Sequence, residues 1–202
     1  MLHRIRELAV SIESATELDS IAVKCDNLEI LEIEWAPFAP SRRSLLQVFS
    51  SCTRIRSLSL WGFSVEPSQF LVAKRIEELF FYSTNLDDDY LESLSLQLCD
   101  KPLRRLKISG QTCTIRGILS VALYLPELEE LNISYTKVDG DDVADLLSAK
   151  NTRGELQVLR HLKHLSIGWD QVDVVKKRLS SLRKNMVVDC SPWCKQKCCV
   201  AD

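Results

Sequence analysis

One spacing pattern of apolar residues recurs seven times along this chain of 202 residues. Its anchors are seven leucines: Leu8, Leu31, Leu58, Leu79, Leu106, Leu131 and Leu165. In every copy an apolar residue also stands three positions before, two positions after and seven positions after the anchor. Hydrophobic residues make up 46% of the chain, so composition alone would leave more than half of these positions polar. The chain is therefore built from internal repeats.

Successive anchors are 23, 27, 21, 27, 25 and 34 residues apart. The pattern L-x-x-L-x-L at a period of about 20–29 residues is typical of leucine-rich repeats. Its alternating core predicts a short strand with one buried face. Apolar residues three to four apart then predict helices over 43–52, 87–99, 114–125, 141–149 and 172–182. The predicted fold is an α/β leucine-rich-repeat solenoid of about seven strand–helix repeats, with a curved parallel sheet on the concave face and helices on the convex face.

The ends of the pattern bound the predicted domains. Residues 1–189 form the leucine-rich-repeat domain, and residues 190–202 form a cysteine-rich tail. The stretch NMVVDC at 185–190 predicts an eighth strand, and the polar stretch 150–155 predicts an exposed loop in the longest repeat. Because Leu2 and Ile5 begin the pattern without a polar cap, we expect either a partner covering the first repeat or a longer parent protein.

Three repeats open with a cysteine: CDNLEILEI at 25–33, CTRIRSLSL at 52–60 and CDKPLRRLKI at 99–108. These strings resemble the cysteine-containing repeats of F-box/LRR proteins and of their ribonuclease-inhibitor-like relatives, over residues 2–189. The resemblance implies a substrate-recognition or adaptor subunit of a ubiquitin ligase. No F-box precedes Ile5, so ligase recruitment would need a separate subunit or an amino-terminal segment outside this sequence. The position five after each anchor departs from the usual Asn or Cys, which predicts an irregular solenoid.

Composition limits the kinds of partner and the cellular location that we expect for this chain. A net charge of −2 and an isoelectric point near 6.0 provide no basic stripe, so we expect no nucleic-acid partner. The longest apolar run, 118–125, is shorter than a membrane-spanning helix, and Arg4 and Arg6 interrupt any signal-peptide core. Cys25, Cys52, Cys99 and Cys113 fall in apolar patterns, which predicts buried, reduced thiols. The expected location is cytoplasmic or nuclear.

Catalytic motifs are missing from the sequence. It contains no P-loop, no dinucleotide-binding glycine string and no H-E-x-x-H, and no nucleophile–base pair is visible. His161 and His164 are three residues apart on the predicted last regular strand, which places them on opposite faces. The acidic clusters 87–89 and 139–142 lack calcium-loop spacing and predict helix N-caps. We therefore predict no catalytic residue, no cofactor and no metal site.

The cysteine-rich tail leaves three alternatives open. It is an unstructured segment, a site of lipid modification at Cys198 or Cys199 that tethers the chain to a membrane, or a site of metal or disulfide chemistry. Cys199 stands fourth from the end, as in a prenylation motif, but the terminal Asp202 is not a usual residue there. Membrane association is expected only through such lipidation.

Side chains that flank the buried leucines point to the concave strand face, so that face is the predicted binding surface. Its predicted partner-binding residues are Glu32, Glu34, Trp35, Trp61, Phe80, Tyr82, Arg105, Lys107, Tyr135, His164 and Trp169. Partly exposed aromatic rings near an arginine are typical of protein interfaces. The alternative is that these rings pack over the strand-to-helix turns and seal the core.

The sequence thus predicts a non-enzymatic protein–protein interaction module. The charges of its strand face change sign from region to region, which favours a protein or peptide partner over a phosphate backbone. Two alternatives stay open: a regulator or inhibitor of a partner enzyme, of the ribonuclease-inhibitor-like or GTPase-regulating kind, and a scaffold tethered to a membrane by its tail.

Overall fold

The computed structural model describes residues 4–35, 42–84, 86–110 and 112–190. These residues form one sheet of eight strands that follow chain order, and each strand is parallel to its neighbours. The strands are β1 (Glu7–Ile12), β2 (Ile30–Trp35), β3 (Ser57–Trp61), β4 (Glu78–Tyr82), β5 (Arg105–Gly110), β6 (Glu130–Thr136), β7 (His164–Ile167) and β8 (Val187–Cys190). The predicted eighth strand is confirmed, and it ends at Cys190, one residue past the predicted domain boundary.

A helical segment connects each strand to the next. The helices are α1 (Ala15–Lys24), α2 (Arg42–Ser51), α3 (Asp88–Leu98), α4 (Ile115–Tyr124), α5 (Gly140–Ser148) and α6 (Val172–Leu179), with 3₁₀ helices at Pro67–Val72 and Trp169–Gln171. The five predicted helices are confirmed. Between β3 and β4, where the repeat is shortest and Pro67 opens the segment, a 3₁₀ helix takes the place of an α-helix. None of the helices in the described ranges is long and apolar enough to cross a membrane.

The seven anchor leucines form one row across the sheet. Each is the direct neighbour of the next, from Leu8 opposite Leu31 to Leu131 opposite Leu165, and Val188 of β8 completes the row. From Leu31 onward the anchors are buried, while Leu8 on the edge strand is only partly buried. The aligned row confirms the predicted α/β leucine-rich-repeat solenoid.

Buried cysteines extend this core towards the helices. Cys25, Cys52 and Cys113 are buried, and burial raises the pKa of Cys52 to about 11 and that of Cys113 to about 12. These thiols stay protonated near neutral pH and pack as small apolar groups. The prediction for Cys99 is wrong, because its side chain is exposed. Cys99 lies seven residues before its anchor where Cys25 and Cys52 lie six before theirs, and the buried Leu98 fills the core beside it.

The acidic clusters cap helices, as predicted. Asp87 accepts a hydrogen bond from the Tyr90 N–H at 2.8 Å at the start of α3. At α5, which begins at Gly140, the cap is Asp139 of the second cluster, which accepts a hydrogen bond from the Asp141 N–H at 2.7 Å. No cluster of metal-ligating side chains occurs within the described ranges.

A charged column that the sequence reading missed follows the rim of the sheet, two positions before each anchor. Its members alternate in sign: Arg6, Glu29, Arg56, Glu77, Arg104, Glu129 and Lys163. Glu29 pairs with Arg6 at 3.8 Å and with Arg56 at 2.8 Å. Glu129 pairs with Arg104 and, at 2.6 Å, with Lys163. Single surface pairs contribute little to stability, but a shared network favours the one register in which opposite charges meet.

The predicted exposed loop is confirmed at 150–155, where an antiparallel bridge between Lys150 and Leu156 closes a turn. Arg183 contacts the segments on both sides of this loop, and its residue surface is only 8% exposed. Its guanidinium donates hydrogen bonds to the carbonyls of Leu147, Val158 and Leu159 at 2.6–3.2 Å. One buried cation thus donates to carbonyls on both sides of the loop of the long sixth repeat, and the Leu159 carbonyl also accepts from the Leu162 N–H at 3.0 Å.

Replacing a central anchor should destabilise the whole solenoid. Leu131 is 2% exposed, so we expect Leu131→Ala to lower the free energy of unfolding by about 2–5 kcal/mol through lost burial and a cavity. Urea unfolding followed by circular dichroism measures this. The matched control is Leu123→Ala on α4, where the side chain is 54% exposed and the expected change is within about 0.5 kcal/mol. Equal losses in the two variants would contradict the shared leucine core.

Removing the buried guanidinium should also be costly. Arg183→Met removes the guanidinium hydrogen bonds to the carbonyls of Leu147, Val158 and Leu159, of which Leu159 keeps its bond from the Leu162 N–H. We expect the free energy of unfolding to fall by about 3 kcal/mol. Arg183→Lys should recover only part of this loss, because an ammonium lacks the wide planar donor set of arginine. The exposed Arg160→Met serves as the control in the same unfolding experiment. An Arg183→Met protein as stable as this control would show that the Arg183 hydrogen bonds do not stabilise the fold.

Candidate binding face

Strand alternation separates two sets of side chains. Those at the anchor and two after it enter the core, and those one before and one after it point to the other side of the sheet. We call this second side the open strand face. Across it the strand registers place like positions side by side, for example Ser59 beside Phe80 and Phe80 beside Lys107. Any site on this face therefore combines residues from several repeats.

A shallow groove of about 320 Å³ occupies the open strand face from β4 to β8. Five predicted binding residues line it together: Phe80, Tyr82, Arg105, Lys107 and His164. The predicted set did not include the other lining residues, which are the anchors Leu106 and Leu131 and the polar residues Glu130, Asn132, Ser166 and Asp189. The groove thus joins side chains that lie up to 109 residues apart in the chain, from Phe80 to Asp189.

Stacked aromatic rings border the groove. The rings of Trp61 and Tyr82 lie parallel with their centroids 3.9 Å apart, and Phe80 lies 6.4 Å from Tyr82. All three side chains are half-buried. The rings lie on neighbouring strands β3 and β4 and contact one another along the strand face. They therefore form a partly accessible apolar wall.

Among the predicted binding residues, Lys107 is the one whose exposure differs most from the prediction. We expected an exposed cation, but the residue is 6% exposed. Its Nζ lies 4.1 Å from the centroid of the Tyr82 ring and 5.8 Å from that of Tyr135. Tyr135 is half-buried, and an extra residue in β6 sets it opposite Ser109 of β5. Side chains from both neighbouring strands thus cover Lys107, and this burial lowers the pKa of its ammonium.

The other charges that line the groove are mostly compensated. Arg105 is half-exposed and forms an ion pair with Glu78 at 2.7 Å. The same Glu78 accepts a hydrogen bond from the Ser57 hydroxyl at 2.9 Å. These contacts place a neutral, hydrogen-bonded pair at the edge of the groove.

His164, Ser166 and Asp189 form a second polar cluster. His164 Nε2 lies 2.9 Å from Asp189 Oδ2, and the Ser166 hydroxyl donates to Asp189 Oδ1 at 2.8 Å. Because serine and histidine both bind the carboxylate, this arrangement does not place the histidine as a base for the serine. His161 lies before β7 rather than on it, with its Nε2 3.9 Å from Glu127.

The remaining predicted residues lie beside the groove or outside the described part. Glu32 is half-buried and Glu34 is exposed on β2, and Glu34 is the strand neighbour of Trp61. The side chains of Trp35 and Trp169 are outside the described residues, as are Cys198 and Cys199. The strand registers explain why Asp189 was missed: only the pairing of β8 with β7 brings it beside Ser166 and near His164.

Comparison with known proteins bears on the fold. No protein-family model matches the sequence. No curated protein matches it either. A chain in the crystal structure of the Rad7 and Elc1 complex in yeast is similar, with 14% identity and a TM-score of 0.50, over 92% of this chain and 56% of that one. An internalin (inlF) from Listeria monocytogenes str. 4b F2365 has 16% identity and a TM-score of 0.49, over 95% and 56%.

The chain thus spans just over half the length of these two structures. At 14% identity, the likeness to the chain of the Rad7 and Elc1 complex is one of fold, and it agrees with the leucine-rich-repeat solenoid described above.

The charge of Glu32 acts on the Tyr82 phenol and predicts a pH effect. Burial, and secondarily the charge of Glu32, raises the pKa of the Tyr82 phenol. A raised phenol pKa means that its stabilising contribution is present below about pH 10 and is lost as the pH rises through the folded value. The ultraviolet titration difference between wild type and Tyr82→Phe isolates this ionisation.

In the Glu32→Gln background we expect the Tyr82 ionisation to move to lower pH while staying above that of a free tyrosine, because burial remains. Glu34→Gln, an exposed change on the same strand, is the control and should leave it in place. An ionisation that Glu32→Gln does not move would show that Glu32 does not act on Tyr82.

Proposed function

We propose that this chain is a non-enzymatic protein–protein interaction module that binds a protein partner on its open strand face. The observation that supports this best is the groove of about 320 Å³ beside the half-buried ring cluster of Trp61, Phe80 and Tyr82. Aromatic residues with an arginine nearby are the side chains that contribute most to binding at protein interfaces.

The size of the face suits a specific complex. Eight strands about 4.8 Å apart extend over roughly 34 Å, which accommodates a footprint of about 800 Å² per partner. A smaller ligand would use only the groove. The open strand face beyond the groove, with Glu32 and Glu34, adds area that a folded partner can contact.

The charge layout supports a protein partner. Glu32 and Glu34 lie on β2, Arg105 and Lys107 on β5, and Glu130 on β6, so acidic and basic strips alternate across the face. A phosphate backbone would need one continuous basic stripe. A folded protein surface, in contrast, can place opposite charges over each strip.

The narrower proposal is a substrate-recognition or adaptor subunit of a ubiquitin ligase in the cytoplasm or nucleus. It rests on the cysteine-containing strings at 25–33, 52–60 and 99–108, which resemble those of F-box/LRR proteins. The structural likeness to a chain from the Rad7 and Elc1 complex is compatible with a role in an assembly. Affinity purification of the full chain tests this narrower role, and repeated recovery without any cullin-type scaffold or Skp-type adaptor would refute it.

Arg105→Glu tests the binding face. Arg105 is half-exposed and paired with Glu78, so the reversal changes the surface charge while leaving the leucine core intact. We expect about a tenfold or greater loss of affinity for the partner recovered by affinity purification, with folding retained. Calorimetric titration measures the affinity, and circular dichroism checks the fold.

Arg75→Glu is the matched control, an exposed arginine that lies before β4 and outside the open strand face. Trp61→Ala is a less specific test, because Trp61 stacks on Tyr82 and its loss removes packing as well as contact area. Partner affinity that is equal in wild type, Arg105→Glu and Trp61→Ala would show that the partner binds elsewhere.

A further inference from the structure

Lys107 carries its charge at a buried position, where the loss of hydration is unfavourable. The residue is 6% exposed, yet its neighbours are ring faces: Nζ lies 4.1 Å from the Tyr82 ring centroid and 5.8 Å from that of Tyr135. Cation–π contacts offset part of the free energy that an ammonium loses when burial removes its water shell. No carboxylate forms an ion pair with Lys107 anywhere in the described ranges. The cation is therefore only partly compensated.

Neighbouring charges show how this fold compensates such groups elsewhere. Arg105 has Glu78 as its ion-pair partner. Asp189 accepts from Ser166 and contacts His164. The buried Arg183 donates to three backbone carbonyls. Lys107 lines the same groove as Arg105 and Asp189, but it differs from them in that its ammonium faces aromatic rings rather than an ion-pair partner.

We propose that the groove binds an acidic side chain of an extended peptide segment of the partner, with the Asp or Glu carboxylate against Lys107 Nζ. This inference rests on the proposed function and names the chemistry recognised by its central site. A volume of about 320 Å³ is at the small end of ligand pockets, enough for one or two side chains. Phe80 and Tyr82 form the apolar wall against which the neighbouring residue of the peptide packs.

The other acids of the groove favour a single carboxylate over a phosphate. Glu130 is exposed and Asp189 is half-buried, and both line the groove with Lys107. A phosphate carries about 1.5 to 2 negative charges, so these two carboxylates would repel it more strongly than they repel a carboxylate. A carboxylate forms the charge-assisted hydrogen bond that Lys107 lacks and carries one charge only.

Peptide display on the full chain tests this inference. The probe is a library of random dodecapeptides with blocked termini, selected on wild-type protein. We expect selected peptides to share one Asp or Glu next to an apolar residue, and to lose affinity about tenfold or more when that residue becomes Asn or Gln. The same loss is expected for the parent peptide on Lys107→Met, whereas the exposed Lys74→Met should bind as wild type does.

Thermal unfolding separates binding from structure. If Lys107 serves binding, Lys107→Met should not lower the melting temperature, because methionine fills the same space without the cost of a buried charge. A melting temperature that falls by many degrees, together with unchanged peptide affinity, would assign Lys107 a structural role and overturn the inference.

Further outcomes are equally decisive. Selected peptides that need no acidic residue, that need a free carboxyl terminus instead, or that bind more tightly when the acid is replaced by phosphoserine would overturn the side-chain carboxylate. A library that yields no binder would also overturn it, while the partner test with Arg105→Glu stands independently. Peptides that bind equally to wild type, Lys107→Met and Arg105→Glu would count against the open strand face itself, and hence against the proposed function.

Discussion

Burial of one leucine by its neighbours on both sides is the contact on which this structure depends. Each repeat supplies a single anchor, and the anchor is covered only when the adjacent strand brings its own leucine alongside. At the first edge Leu8 has one neighbouring strand and is partly buried, whereas Leu31 has two and is fully buried. At the last edge α6 packs beside β8, and Val188 is 5% exposed. No repeat can bury its apolar face alone, so the fold exists only as a stack.

Stacking brings equivalent positions of successive repeats side by side. The consequence differs between the rim and the open strand face. At the rim, Arg6, Glu29 and Arg56 alternate in sign, so that neighbours neutralise one another. On the open strand face Arg105 still lies between Glu78 and Glu130, but Lys107 meets ring faces where the rim would supply a carboxylate. The rim charges neutralise one another within the stack, so they contribute little to partner binding. Lys107, which the rings compensate only in part, is therefore the more informative residue for function.

The candidate site is a product of five neighbouring strands, β4 to β8, rather than of any one repeat. Lys107 of β5 is covered by Tyr82 of β4 and Tyr135 of β6, and the polar cluster joins His164 of β7 to Asp189 of β8. Such a site can change its specificity through single substitutions on separate strands while the leucine row stays the same. This separation of core and surface is why the repeat pattern identifies the fold but leaves the partner open.

The sequence by itself determined the strand order, the alignment of the anchor leucines, five of the six described α-helices and the set of side chains that leave the core, because strand alternation and repeat spacing are properties of short segments. It also contained the alternating rim column, which a search at a fixed offset from the anchors would have found. Only the tertiary structure decided that Lys107 is buried, that Arg105 pairs with Glu78 and that Asp189 joins His164. These outcomes depend on side-chain length and on an extra residue in β6, so they follow from contacts between repeats that no single repeat encodes.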